Sequence, residues 1–242
     1  LEAESSSIDI IYTYENNTLW QCSMYLTRGS AISDREYANI TDAAAWFLLK
    51  YQNYTRIDST EMIKMLANID PNRNTTLTSG NLKLTVTHQD LTGTIFGDTV
   101  HFLWVQTFNN CEYLAIDLSY RNGIFSNLID HRQLYAIGNT TVNITMPQAT
   151  EIALRYTKNY SYYLGNDIWI SNFSIIGTSA TLQPQEARAR SQPYVLYPCW
   201  IVKVFFDKTY PGSVDGLIVW IWADSGEILA TSHFNYRWPQ EH

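Results

Sequence analysis

Eight asparagines stand in the pattern Asn-x-Ser/Thr with a residue other than proline in the middle, which is the acceptor pattern for N-linked glycans. They are Asn16, Asn39, Asn53, Asn74, Asn139, Asn143, Asn159 and Asn172. Random placement of the residue types in this chain predicts about three such sequons. Clustering of Asn and Thr in turns is the alternative explanation. The excess favours N-glycosylation, and it predicts an extracellular or cell-surface protein.

The three cysteines, Cys22, Cys111 and Cys199, fit neither a redox nor a zinc motif. None forms C-x-x-C, and none has a histidine at the spacing of a zinc site. In an oxidising extracellular setting, three cysteines predict one disulfide and one remaining thiol. The sequence does not select the pair, so all three are disulfide candidates.

Catalytic and metal-binding motifs are absent from the sequence. The five histidines form no H-E-x-x-H motif, and no G-x-S-x-G nucleophile turn occurs. The segment from Asp70, DPNRNTT, begins like a calcium loop, but Thr75 and Asn81 stand where such a loop needs Gly and Glu. The acids near predicted strand ends are Asp117, Asp215, Asp224 and Glu227. We therefore expect no catalytic residue, no metal site and no cofactor, and hence a protein that is not an enzyme.

Composition narrows the classes of partner. The chain has 242 residues, 45% of them apolar, and a formal net charge of −7. The apolar fraction is sufficient for a packed core. An acidic chain without a basic stripe has nothing to neutralise phosphates, which argues against nucleic acid. No run of about 18 apolar residues occurs, so we expect no transmembrane segment in this chain.

In the first half of the chain, segments with a strand pattern and segments with a helix pattern carry these residues. Residues 8–25 form two β-rich runs around ENNT, which predicts a hairpin with Asn16 at its tip. Apolar residues at helical spacing follow Thr41, the predicted N-cap, and a second helix is predicted over residues 59–70. Alternating runs predict strands at 81–89 and 99–108, and RNG predicts a hairpin turn at 121–123.

The second half repeats this order. NIT at Asn39 corresponds to NIT at Asn143, and KYQNYT corresponds to RYTKNYS. In the second copy, Thr145 and Gln148 form the pattern of a helix capping box. WVQTF and IDLSYRNGIF are matched by WIVKVFF and IVWIWADSGEIL. Four matches in the same order predict an internal duplication, with sequons near both ends of the helix in each copy.

The second copy resembles a PepSY-type domain. Its helix from Thr145, its strand WIVKVFF and its turn segment WADSGEIL correspond to the helix, strand and final hairpin of that family. The first copy resembles the pattern more weakly, because it has RNGIF where the family has a Gly-Glu pair. From about Ser33 the chain also resembles a group of uncharacterised archaeal cell-surface proteins, through KYQNYT, NITMPQATEIALRYTKNYS and LYPCWIVKVFFDKTYPGSVDGLIVWIWADSGEI.

The resemblance implies an α+β fold with two PepSY-like units, each a helix plus an antiparallel sheet. The units would span residues 33–138 and 139–242, preceded by a β-hairpin-like segment over residues 1–32. We expect a structural or interaction role, with self-assembly into a filament or surface layer by strand addition of the N-terminal segment. The alternative implied by the resemblance is a module that binds or inhibits an envelope peptidase.

Overall fold

The structure is a computed structural model that describes residues 7–15, 17–28, 39–94 and 97–235. Asn16, the first sequon, lies outside the described residues. The chain divides into two compact units. One contains Leu1–Phe108 and Glu112–Ala136, and the other contains Asn109–Cys111 and Ile137–His242.

The predicted fold class is wrong. Strands account for 54% of the described residues and helices for 20%, so the protein is mostly β. The first unit is built on a seven-stranded antiparallel sheet, which does not fit a PepSY-like helix-plus-sheet unit. The reason is the N-terminal hairpin. It does not precede a separate sheet but adds two strands to the sheet of the first unit.

The sheet of the first unit has the order β1-β2-β7-β6-β5-β4-β3. Its strands are β1 (Ser7–Glu15), β2 (Thr18–Arg28), β3 (Thr75–Ser79), β4 (Leu82–Gln89), β5 (Thr99–Phe108), β6 (Cys111–Arg121) and β7 (Ile124–Asp130). Asn122 and Gly123 take positive φ angles of 50° and 74° in the tight turn between β6 and β7. Asn and Gly tolerate this backbone better than other residues, as the RNG motif predicts.

Helices cover one face of this sheet. They are α1 (Ile40–Thr55), α2 (Thr60–Leu66) and the single turn α3 (His131–Leu134). Leu48 of α1 and Leu66 of α2 share a buried core with Phe102 and Trp104 of β5. The predicted N-cap of α1 is wrong by two residues: Asn39 is the cap, and its side chain accepts a hydrogen bond from the Asp42 N–H at 2.9 Å. The Thr41 hydroxyl donates to the same Asn39 oxygen and lies inside the helix.

A buried ion pair joins this helical layer to the end of β7. Asp130 is completely buried and accepts two hydrogen bonds from the Arg132 guanidinium, each 2.9 Å long. Arg132 also donates to the Asp58 carbonyl at 2.9 Å and to the Ser59 hydroxyl at 3.2 Å, between α1 and α2. A charge buried this deeply is tolerated only when it is paired and hydrogen-bonded.

The second unit places one helix, α4 (Met146–Lys158), on a five-stranded sheet. Its strands are β8 (Ala136–Ile137), β11 (Ile175–Ala187), β12 (Gln192–Tyr210), β13 (Val214–Trp222) and β14 (Ile228–Phe234), and a separate small hairpin contains β9 (Tyr162–Gly165) and β10 (Ile168–Ile170). The path of the sheet is β11-β12-β13-β14, and β8 pairs with β12. Thr145 and Gln148 form the predicted capping box of α4.

The polar segment at residues 183–193 continues the sheet. β11 runs through to Ala187, and a 3-10 turn at Arg188–Arg190 leads directly into β12. Arg190 explains why this polar segment is ordered. Its guanidinium donates to both Asp224 oxygens at 2.7 and 2.9 Å and lies 4.4 Å from the centre of the Trp222 ring. A bidentate ion pair combined with a cation–π contact fixes this turn against the β13–β14 connection.

We expect Arg132→Met to lower the free energy of unfolding by about 3 kcal/mol, because it leaves the buried Asp130 carboxylate without its partner. The matched control is Lys64→Met, which removes an exposed Lys64–Glu61 pair and should change stability very little. Combining Arg132→Met with Asp130→Asn should recover part of the loss, because the buried charge is then gone. Chemical denaturation measures all three. Equal stability of Arg132→Met and the parent would contradict this role.

Candidate functional site

The outermost strand of the first unit, β1, exposes most of its apolar side chains. Ile8, Ile10, Tyr12 and Tyr14 alternate along it and are between 40% and 54% exposed. Ile11 on the opposite face is 53% exposed. Large apolar side chains scattered singly on a surface are normal, but a row of them on one strand marks a surface that another molecule can cover.

β1 is also an edge of the sheet, and its sequence does not protect that edge. Among the described strands it has one neighbour, β2. Edge strands of monomeric proteins are usually blunted by lysine or proline, or by being short. β1 has nine residues, SIDIIYTYE, with no lysine and no proline. Its outer backbone edge is therefore a template for a further strand.

The hairpin joins the rest of the sheet along a short stretch. β2 pairs with β7 at three positions, where Gln21, Cys22 and Ser23 face Ile129, Leu128 and Asn127. The Ser23 hydroxyl donates to the Asn127 side-chain oxygen at 2.7 Å. On the helical side, the Tyr51 hydroxyl donates to the Leu19 carbonyl at 3.2 Å. These contacts hold the half of the hairpin nearer its turn, and Ser7–Ile10 pair with β2 beyond them.

The other sheet edges differ from β1. β3 has five residues, TTLTS, and directly follows the sequon asparagine Asn74. β11 contains Pro184 and starts three residues after Asn172, another sequon. β14 has seven residues, ILATSHF, without lysine or proline, and among the described strands its neighbour is β13. β1 and β14 thus both lack lysine and proline; no sequon adjoins β14 along the chain, whereas the Asn16 sequon directly follows β1.

All seven sequon asparagines that the structure describes are exposed: Asn39, Asn53, Asn74, Asn139, Asn143, Asn159 and Asn172. They lie at helix ends, in turns or before strands, as glycan acceptors must to be reached by an enzyme. Asn53 lies in the last turn of α1, and Asn159 is the residue that caps the end of α4. The predicted bracketing of each helix by sequons is therefore present in the described residues.

Hydrogen bonds orient several of these side chains. Asn74 accepts from the His88 N–H at 2.8 Å, and Asn139 accepts from the Thr141 N–H at 3.0 Å, both through the side-chain oxygen. This leaves the Nδ2 atom, to which a glycan is attached, turned away from the bond. At Asn143 the Nδ2 atom itself donates, to the Asp224 carbonyl at 2.9 Å. Since a glycosylated Asn keeps one N–H, that bond survives only for one orientation of the sugar.

The cysteines lie in different surroundings. Cys111 and Cys199 are fully buried, whereas Cys22 on β2 is half-buried. Burial raises the pKa of the Cys199 thiol to about 12, and burial also raises the pKa of Cys22. The structure contains no disulfide among the three. Which two of them pair therefore stays a prediction.

Two of the four acids near strand ends, Asp224 and Glu227, face the same cation, Arg190, at 2.7 and 3.9 Å. Asp224 pairs with Arg190, and Asp215 is buried and accepts from the Thr209 hydroxyl at 2.5 Å. Asp117 pairs with His101 at 2.7 Å, and Glu227 is exposed. Within the described part of the chain, no group of three or more His, Cys, Asp or Glu could hold a metal ion.

Sequence reasoning missed the pairing of histidines with aspartates across neighbouring strands. His101 and Asp117 lie on β5 and β6, beside a polar hollow of about 400 Å3 that is also lined by Ser119 and Asn127. His88 on β4 bonds to Asp98 at 2.6 Å, and this bond raises the pKa of His88. Side-chain alternation on β5 and β6 places His101 and Asp117 opposite the helices, on the face where an antiparallel sheet normally meets water.

In comparisons with protein-family models, with curated proteins and with solved structures, this chain has no match. None of the helices in the described residues combines the length and the apolar character needed to span a bilayer. The features available for a functional argument are therefore the exposed edge strand, the sequons and the surfaces around them.

We expect Cys22 to react with iodoacetamide at pH 8 much faster than Cys199 in the folded, reduced protein. A thiol with a pKa of about 12 is ionised to only about one part in 10,000 at pH 8, and the thiolate is the reactive form. In denaturant the two should react at similar rates. Peptide mass spectrometry of time points measures both. Equal rates in the folded protein would contradict the burial of Cys199.

Proposed function

We propose that this chain is an N-glycosylated extracellular or cell-surface protein with a structural, non-catalytic role, which assembles with copies of itself by strand addition through β1. The observation that carries the proposal is the nine-residue, unprotected and apolar edge strand. The occupant of this edge is a second copy of the chain.

Addition of a partner strand would complete both exposed features of β1, its backbone edge and its row of apolar side chains. A partner strand satisfies the outward backbone N–H and C=O groups, and its side chains cover the apolar row at Ile8, Ile10 and Tyr12. The hydrogen bonds supply affinity, and the alternating apolar side chains fix the register. An isolated hairpin is only marginally stable in water. A partner strand would therefore also stabilise the part of β1 that projects beyond the β2–β7 pairing.

Among the edge strands of the next copy, β14 is the one that best suits pairing with β1. Glycans at Asn74 and Asn172 would cover the approaches to β3 and β11, whereas no sequon directly precedes or follows β14 along the chain, and the groove at Asn159 includes Ile228, the first residue of β14. β1 and β14 are different surfaces, so their contact is heterologous. A heterologous contact repeats from copy to copy, and it builds a filament unless its rotation closes a ring.

The alternative role, as a module that binds or inhibits an envelope peptidase, depended on the PepSY resemblance. Because the seven-stranded sheet does not fit that fold, the resemblance no longer supports this role. No feature of the described residues favours it independently.

The double substitution Ile10→Lys with Tyr12→Lys tests the assembly. Lysine on an edge strand opposes strand addition, because pairing would bury its charge against the apolar partner side chains. We expect the glycosylated parent protein to form filaments in electron micrographs and the variant to remain monomeric in light scattering. Both positions are exposed, so circular dichroism of the variant should match that of the parent.

The matched control is Ile176→Lys with Thr178→Lys, which places the same two charges at exposed positions two residues apart on β11. It should leave the filaments intact. A monodisperse monomeric parent at high concentration would contradict the proposal, and so would a double variant that assembles as the parent does. Filaments lost equally in the control would show that added charge, and not the β1 edge, is responsible.

A further inference from the structure

A groove of about 470 Å3 on the second unit contains a complete sequon in its wall. Asn159, Tyr160 and Ser161 line it together with Ile152 and Tyr156 of α4 and Ile228 of β14. Pockets of this size are typical of small-ligand sites. The presence of a glycan acceptor in the wall means that a sugar attached there starts inside the groove.

The acceptor side chain is held at the end of α4. Asn159 caps the helix, and its backbone N–H donates to the Tyr156 carbonyl at 3.1 Å. Its Nδ2 atom lies 3.4 Å from the Arg155 carbonyl, another residue that lines the groove. One N–H thus faces the helix end, and the position of the second is available for the glycosidic bond.

The aromatic side chains that line the groove can pack against a sugar ring. The rings of Tyr156 and Tyr160 lie 5.7 Å apart at 34°, and both residues are half-buried. The Tyr160 hydroxyl is fixed by His233 Nε2 at 2.5 Å. A pyranose ring presents aliphatic C–H groups on its faces and hydroxyls on its rim. Aromatic faces, which carry partial negative charge, attract such C–H groups.

The charge of the groove favours a neutral occupant. The cation in its wall, Arg155, is already paired with Glu151 at 2.9 Å, and both side chains are largely exposed. An anionic ligand would have to compete with this carboxylate. A neutral sugar would need only the ring faces and the hydrogen-bonding groups.

We propose that the chain's own N-linked glycan at Asn159 occupies this groove, with its first sugar residues packed against Tyr156 and Tyr160. The inference rests on the glycosylation part of the proposed function and is independent of assembly through β1. In the first unit, the corresponding sequon at Asn53 lies within the last turn of α1 and not at the helix cap. At Asn159 the acceptor is itself a lining residue of the groove.

The test compares Ser161→Ala in two preparations of the full chain, one from a host that attaches N-glycans and one from a host that does not. Ser161→Ala removes the sequon and leaves Asn159 in place. We expect the glycosylated protein to lose about 3 °C in melting temperature on substitution, the shift for a stacking contact in a chain of this size. The unglycosylated protein should be unchanged. Both use the Ile10→Lys, Tyr12→Lys background, so that assembly does not affect melting.

Two further variants separate stacking from other effects. In glycosylated Tyr156→Leu protein, Ser161→Ala should cause a clearly smaller loss, because one of the two rings that pack on the sugar is absent. Asn53→Gln, which removes the corresponding glycan of the first unit, should not lower the melting temperature of the glycosylated protein. A loss as large with Asn53→Gln as with Ser161→Ala would overturn the inference, and so would a loss of equal size in both hosts.

Glycopeptide mass spectrometry gives the occupancy of each sequon. Glycans at other sequons but none at Asn159 would overturn this inference and leave the proposed function standing. Absence of glycans at every sequon of the native protein would overturn both.

Discussion

The ion pair between Asp130 and Arg132 is the contact on which the arrangement of the first unit depends. Asp130 ends β7, the strand to which the N-terminal hairpin is attached, and Arg132 reaches the backbone and side chain at the α1–α2 junction. One buried carboxylate therefore fixes the helical layer to the strand that supports β2. Because a buried charge without a partner is so unfavourable, this geometry admits few alternatives. The strand to which the hairpin is attached, β7, is thus held in place.

Strand addition at β1 requires an exposed edge on a hairpin that the rest of the sheet holds in place. The pairing of β2 with β7 holds three residues of the hairpin, while β1 presents a complete backbone edge to solvent. The sequons next to β3 and β11 lie where a bulky, solvated glycan would keep other strands away. Glycans beside β3 and β11 would disfavour strand pairing at those two edges. In this view the sugars and the edge strands act together to select one mode of contact.

The sequence predicted individual elements better than their arrangement. Alternation of apolar residues predicted β5 over 99–108, and the RNG motif predicted the tight turn at Asn122–Gly123. The pattern at Thr145 and Gln148 predicted the capping box. The PepSY-like architecture failed, because element order along the chain does not specify which strands pair. The N-cap of α1 failed for a local reason: Asn39 and Thr41 are both good caps, and the sequon contains both. The polar segment at residues 183–193 could not be placed by local pattern, because Arg190 pairs with Asp224, which lies 34 residues away.

By itself, the sequence determined the sequons, the unprotected composition of β1 and the absence of catalytic motifs, since each depends on residue type and local spacing. Tertiary structure alone decided that the hairpin joins the first sheet, through contacts such as that between Ser23 and Asn127, which are 104 residues apart. It also decided that Ile228 comes beside Tyr156 and Asn159 to form a groove around a glycan acceptor. The physical reason is the same in both cases. Pairing and packing are chosen by the burial and hydrogen bonding of the whole unit, and a local pattern of side chains is compatible with many partners.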